Sequence, residues 1–147
     1  MDLGLHNKVA IVSGGSQGLG SFVVEALAAE GARVVFTYHH SKDEAERLVA
    51  ELTERGGTAT ALQANAMSME DAERVVETAI GLYGQADILV NIVGGSGKQE
   101  GPIWTMTSEE WHNVLEHNLT SCFHYTRAIC GHFMERQNGT IVNMGSI

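Results

Sequence analysis

The stretch SGGSQGLG, residues 13–20, holds the residues of this sequence best suited to bind an anion. Gly14, Gly18 and Gly20 follow the spacing G-x-x-x-G-x-G between an apolar run and an apolar stretch of helix length. A phosphate approaches the backbone only where side chains are absent, and a helix amino terminus adds unpaired N–H donors and the positive end of a dipole. Directly after the first strand of a strand–helix–strand unit, the loop is expected to hold a pyrophosphate, with Ser16, Gln17 and Leu19 between the glycines. The plain alternative is a glycine-rich turn that only packs strand on helix.

Two further side chains could do chemistry. Ile141 and Val142 run into Asn143, Met144, Gly145 and Ser146, which reads as a buried strand delivering the Ser146 hydroxyl to its carboxyl end, where α/β sheets place their sites. Asn118 lies among Trp111, Val114, Leu115, Leu119, Cys122, Phe123, Ile129 and Phe133, whose spacings of three and four make one apolar helix face. An amide on such a face costs about 1–3 kcal/mol unless it is hydrogen-bonded. Asn118 is therefore either bonded to a nearby backbone carbonyl or kept there for a functional contact.

These groups need a scaffold, and the pattern supplies one. Five short apolar runs, KVAIVS, RVVFTY, TATALQA, DILVNIV and TIVNM, read as strands covered on both faces. Between them lie helix-length amphipathic stretches at about Gly18 to Glu30, Lys42 to Arg55, Met69 to Tyr83 and Ser108 to Arg136. Ser41 with Glu44, Ser68 with Asp71, and Thr107 with Glu110 form capping patterns at three helix starts. Gly31, Gly56, Gly84 and Gly139 fit the exits. The alternation predicts one α/β domain over residues 1–147, a doubly wound parallel sheet.

Composition narrows the function. A net charge of −9 without a lysine/arginine cluster argues against nucleic-acid and anionic-membrane binding. The amino terminus lacks a signal-peptide layout and no apolar run reaches membrane-span length, so a cytoplasmic protein is expected. Cys122 and Cys130 are expected to be buried free thiols, and no metal site is expected. Met67, Met69, Trp104 and Met106 read as cleft edge or core, and the acidic run from Glu70 to Glu77 as a solvated helix face.

SGGSQGLG resembles the T-G-x-x-x-G-x-G loop of the short-chain dehydrogenase/reductase enzymes, with Ser13 in place of threonine. DILVNIVGG resembles their N-N-A-G segment, with Asn91 and Gly94 matching and Ile92 and Val93 departing. HNLTSCF and GTIVNMGS resemble the segments that carry the catalytic asparagine and serine. The resemblance implies a Rossmann-like sheet, truncated after about the fifth strand, and an oxidoreductase acting on a small carbonyl or secondary alcohol with a nicotinamide cofactor. It implies catalytic roles for Ser146 and Asn118, an adenine contact for Asn65 with Ala66, and cofactor contacts for Asn91, Val93 and Gly94. It also implies a Y-x-x-x-K pair after the serine, and Tyr38, Tyr83 and Tyr125 all precede Ser146. The 147 residues read as the amino-terminal part of such an enzyme, expected to turn over poorly alone and to associate through the fourth helix and the fifth-strand edge. Two alternatives are a noncatalytic nucleotide-binding module and an interaction protein completed by a second chain.

The second strand bears on the cofactor. NAD sites place an acid about twenty residues past the glycines, but here Tyr38, His39, His40 and Ser41 occupy that region, followed by Lys42. No carboxylate before Asp43 would repel a 2′-phosphate, so NADP(H) is favoured over NAD(H).

Overall fold

A computed structural model of the protein describes residues 2–95 and 101–145. Five strands, β1 (Val9–Ser13), β2 (Arg33–Tyr38), β3 (Thr58–Gln63), β4 (Ile88–Asn91) and β5 (Thr140–Asn143), form a parallel sheet in the order β3-β2-β1-β4-β5. Helices α1 (Gly18–Ala29), α2 (Lys42–Glu54) and α3 (Met69–Tyr83) connect the first four strands. A 3-10 turn (Ile103–Thr105), α4 (Ser108–Leu115), a π turn (Glu116–Thr120) and α5 (Ser121–Arg136) precede β5.

The alternation of side chains along a strand explains the two cores. Ile11, Val35 and Leu89 stand in register and face α3 and α5, where they pack with Val75, Tyr125 and Ile129. Val12, Phe36 and Val90, one residue on, face the opposite way with Val24, Leu48 and Leu52 of α1 and α2. Strand β1 is fully buried at the centre, as its unbroken VAIVS run requires. Each fully buried Val, Ile or Leu contributes about 1.5–3 kcal/mol, so both layers hold the central strand in place.

The expected elements appear, with five corrections. β5, expected to be buried, lies at the edge of the sheet with Thr140, Val142 and Asn143 exposed and Ile141 half-buried. The fourth helix is α4 and α5 joined through the π turn, and the extra residue rotates the inward face. Ser121, Tyr125, Ile129 and Phe133 point inward, while Trp111, Leu119 and Phe123 are exposed. Ser41 does not cap α2; its hydroxyl pairs with that of Ser16 at 2.8 Å. Gln137, not Gly139, takes the left-handed turn after α5, with φ of +51°, and Gly139 is needed because a Cβ there would meet the Phe133 ring. Cys122 and Cys130 are free but only half-buried. Thr107 and Glu110 do form a full capping box, and Ser68 caps α3 through the Asp71 N–H. The solvated acidic face holds for Glu70, Glu73 and Glu77, whereas the Asp71 carboxylate turns back to accept the Asn65 N–H at 2.8 Å.

The end of the sheet away from the strand carboxyl termini is clamped by Asp87. Its carboxylate accepts from the Val9 N–H at 2.8 Å, from Gln85 at 2.9 Å and from Arg136 at 3.0 Å. Burial favours the neutral acid, but the Val9 N–H and the Arg136 guanidinium together outweigh it and hold the carboxyl below its ordinary value. That clamp ties β1, β4 and α5 together and leaves the other end of the sheet to carry the site.

Candidate functional site

Strand order reverses between β1 and β4, and the crevice outside the carboxyl ends of those strands is where an open α/β sheet binds its ligand. A cleft of about 970 Å³ lies there. One wall is the glycine loop: Gly14, Ser16, Gln17, Leu19 and Gly20 line it. Gly18 lies off the lining and starts α1 with φ of +57°, a left-handed backbone that glycine adopts without strain. At Gly20 a Cβ would run into the Gly14 carbonyl, so the turn closes only around bare backbone. Gln17 at the N-cap makes no side-chain cap bond, so the first N–H groups of α1 keep their donors for a ligand.

Thr37 on β2 fixes that loop. Its buried hydroxyl accepts the Gly14 N–H and its carbonyl the Gly15 N–H, both at 2.9 Å. Beyond it, Tyr38, His39, His40 and Ser41 form the next wall, and Ser41 is bonded to Ser16 of the first. The floor carries Asn65, Ala66 and Met67. Asn65 accepts the Met67 N–H on its Oδ1 at 3.0 Å, so its Nδ2 donors are what the side chain can offer a ligand. The neighbouring Asp71 is held below the usual carboxylate range, first by its bond to Arg74 and then by the Asn65 N–H. Met67 therefore serves both expected readings, lining the cleft and packing on the core, whereas Trp104 is exposed.

The far wall is Val93 and Gly94 after β4, facing His117 of the π turn. Asn118 exchanges two bonds with Gly95: its Nδ2 donates to the Gly95 carbonyl at 2.7 Å and its Oδ1 accepts the Gly95 N–H at 3.0 Å. Nδ2 also donates to the Val114 carbonyl at 2.9 Å. A Cβ at Gly94 would come within 2.7 Å of Asn118 Oδ1, so Gly94 and Asn118 require one another. Asn118 is exposed rather than on the buried face, because the π turn carries it out toward the loop.

Asn91 is not on the cleft. Its Nδ2 donates to Asn143 Oδ1 at 2.9 Å and to Thr126 Oγ1 at 3.3 Å, which ties β4 to β5 and α5 from behind. The sequence places Asn91 at the strand end but cannot say that a second asparagine will pair with it. Ser146 lies outside the described residues. Thr37 and His117 were not among the expected site residues; the only signal for Thr37 is a hydroxyl inside the otherwise apolar run RVVFT, which β-propensity alone explains equally well. Among the described residues no cluster of His, Cys, Asp and Glu could hold a metal.

A parallel sheet with a glycine-walled cleft at its switch point and an uncapped helix start facing it defines a Rossmann-like dinucleotide-binding fold. The family model for short chain dehydrogenase matches residues 8–147. The chain belongs to the short-chain dehydrogenase family. It is 34% identical over 143 residues to a 3-oxoacyl-[acyl-carrier-protein] reductase of Synechocystis sp., an alignment covering 97% of this chain and 57% of the relative. An uncharacterized oxidoreductase of Methylorubrum extorquens is 36% identical over 144 residues, 97% of this chain and 56% of that protein. A solved short-chain dehydrogenase/reductase from Serratia marcescens superposes with a TM-score of 0.86 at 33% identity, over 97% of this chain and 56% of that one. The chain thus spans just over half the length of these relatives.

Proposed function

We propose that the cleft binds NADP(H) in preference to NAD(H), and that these residues form the cofactor-holding part of an oxidoreductase acting on a small carbonyl or secondary alcohol. The observation that carries this reading is the closed glycine turn: bare backbone at Gly14 and Gly20, with the donors of α1 facing a cleft long enough to run from Asn65 to Val93. A pyrophosphate fits that chemistry, and a second strand without an acid before Asp43 fits a 2′-phosphorylated ribose. A bound nicotinamide supplies the hydride acceptor or donor. Ser146 polarises the substrate oxygen, and Asn118 shapes the far wall through Gly95 while its exposure leaves it open to water for proton supply.

The Synechocystis relative is named as a reductase of a 3-oxoacyl group, which supports a carbonyl substrate for this chain as well. No helix among the described residues is long and apolar enough to cross a membrane. Of the three tyrosines, Tyr125 is buried with its hydroxyl pushed up to about 12, and Tyr83 pairs with Thr60 at 3.2 Å. Tyr38 lines the cleft on the second-strand wall, but all three precede Ser146, before the place of the implied Y-x-x-x-K pair, so these 147 residues alone are expected to bind cofactor with turnover well below about 1 per second.

Calorimetric titration of NADPH, then NADH, into the 147-residue chain tests the proposal. Saturable binding with NADPH the tighter ligand is expected. Equal or stronger binding of NADH would refute the stated preference, and no binding of either would refute the cofactor reading.

A further inference from the structure

One bond reaches the cleft floor from across the fold. His124 on α5 donates from Nδ1 to the Ala66 carbonyl at 3.1 Å, 58 residues away along the chain. A carbonyl carries no proton, so Nδ1 does, and it does so whether the ring is neutral or charged. His124 is half-buried and Ala66 is buried, where a carbonyl needs a partner. The other bonds of the floor are local or come from backbone. The Asn65 N–H donates to Asp71 at 2.8 Å, the Ser68 N–H to the Asn65 carbonyl at 2.9 Å, and the Ala64 N–H to the Tyr38 carbonyl of β2 at 2.9 Å. Among the described residues, His124 is the one side chain from outside residues 64–71 that bonds to residues 64–68.

That bond acts on a single peptide plane. The Ala66 carbonyl and the Met67 N–H belong to the same planar peptide, so a group that fixes one fixes the other. The Met67 N–H donates to Asn65 Oδ1 at 3.0 Å. The peptide is thus pinned at both ends, its oxygen by α5 and its N–H by Asn65. An asparagine whose Oδ1 is held in this way has its Nδ2 donors left to offer, and Asn65 lines the cleft. If the peptide turned, Asn65 would lose the partner that orients its amide. The helix that pins the peptide also continues directly from the π turn, whose Asn118 holds Gly95 beyond the far wall. One run of helix therefore sets both the floor and the far wall.

We infer that His124 is a positioning residue of the cofactor site, fixing the Ala66–Met67 peptide so that Asn65 keeps its Nδ2 donors turned to the adenine. The inference rests on reading the cleft as a dinucleotide site and deepens it. His124 acts through Asn65 and needs no contact of its own with the cofactor. What matters is a donor at the place of Nδ1, not a ring and not a charge. Asparagine puts its amide nitrogen at that place, glutamine carries its own one bond further out, and leucine has no donor.

The test is calorimetric titration of NADPH into the 147-residue chain and into His124→Asn, His124→Gln and His124→Leu, with Asn65→Ala and the double variant H124L/N65A closing a cycle. Urea unfolding of each variant checks that it is folded. His124→Asn is expected to bind within about threefold of the parent, whereas His124→Gln, His124→Leu and Asn65→Ala each weaken NADPH about tenfold. The two losses are expected not to add: once Asn65 is alanine, His124→Leu changes the Kd by less than about twofold. A leucine variant that binds as the parent does, an asparagine variant as weak as the leucine one, or losses that add in full would overturn the inference and leave the cofactor reading intact. If the leucine variant does not fold, the difference between asparagine and glutamine decides alone. Absence of NADPH binding by the parent chain would overturn the cofactor reading itself, and this inference with it.

Discussion

Thr37 shows how much one hydroxyl can hold. It receives the Gly14 N–H, its carbonyl receives the Gly15 N–H, and without these bonds the half-buried Gly14 amide and the buried Gly15 amide of the glycine turn would lack partners. Its hydroxyl also opposes the rise that burial imposes on Tyr125 without closing a full hydrogen bond to it. Thr37→Val keeps the shape and removes the acceptor. It is expected to cost about 1–2 kcal/mol of stability and to weaken NADPH binding roughly tenfold, while Thr37→Ser retains most of both. Urea unfolding and calorimetry on the two variants measure this; a valine variant that binds as the parent does would show that the loop holds itself. The glycines were legible because their spacing has few other uses. Thr37 was not, since a threonine in a strand needs no special reason, and neither was the partnership of Gly94 with Asn118, which depends on a contact across 24 residues of chain.

At the scale of elements, the clamp under β1 and β4 makes its own prediction. Asp87 has a folded pKa below its ordinary 3.8, so its charged form stabilises the fold above that value. The contribution is lost as pH falls through the lower, folded value, and it is constant from pH 5 upward. Asp87→Asn removes the anion facing Arg136 and weakens the acceptor for Val9; it is expected to destabilise by about 2–4 kcal/mol at neutral pH and to flatten the acid limb of the stability curve. Thermal melts from pH 3 to pH 7 decide it, and an unchanged acid limb would assign the acid sensitivity elsewhere. The central strands and most helix bounds were readable because valine-rich runs and amphipathic stretches report burial; β3 and β5, at the two edges of the sheet, are half-buried or exposed despite their apolar residues. The π turn was not readable, because its effect is a slip of register. The spacing of Leu119 and Phe123 suits an α-helix facing inward, and one extra residue turns both outward and brings Ser121 and Tyr125 in.

For the whole molecule, the outward turn leaves a large apolar surface. Trp104 and Trp111, Leu119 and Phe123, and Val142 and Met144 beside the β5 edge are each between two-fifths and more than four-fifths exposed. Residues of this size scattered singly are unremarkable, but Leu119 and Phe123, turned outward on the joined helix, and β5, at the sheet edge among the described residues, are the surfaces we propose for association. Sedimentation velocity of the 147-residue chain at rising concentration is expected to show self-association that Phe123→Glu weakens. A stable monomer at high concentration would contradict it. The central claim concerns the cofactor cleft, which lies at the carboxyl ends of the strands, where the reversal of strand order, the glycine turn and the Tyr38 to Ser41 wall meet. It is tested most directly by the backbone amide NMR spectrum of the chain as NADPH is added. Saturable shifts are expected at Leu19 and Gly20, at His39 to Ser41, and at Asn65 and Ala66, with the β1–β4 ends of the strands between them. Shifts confined to α3 and α5, or a spectrum that does not change, would contradict it.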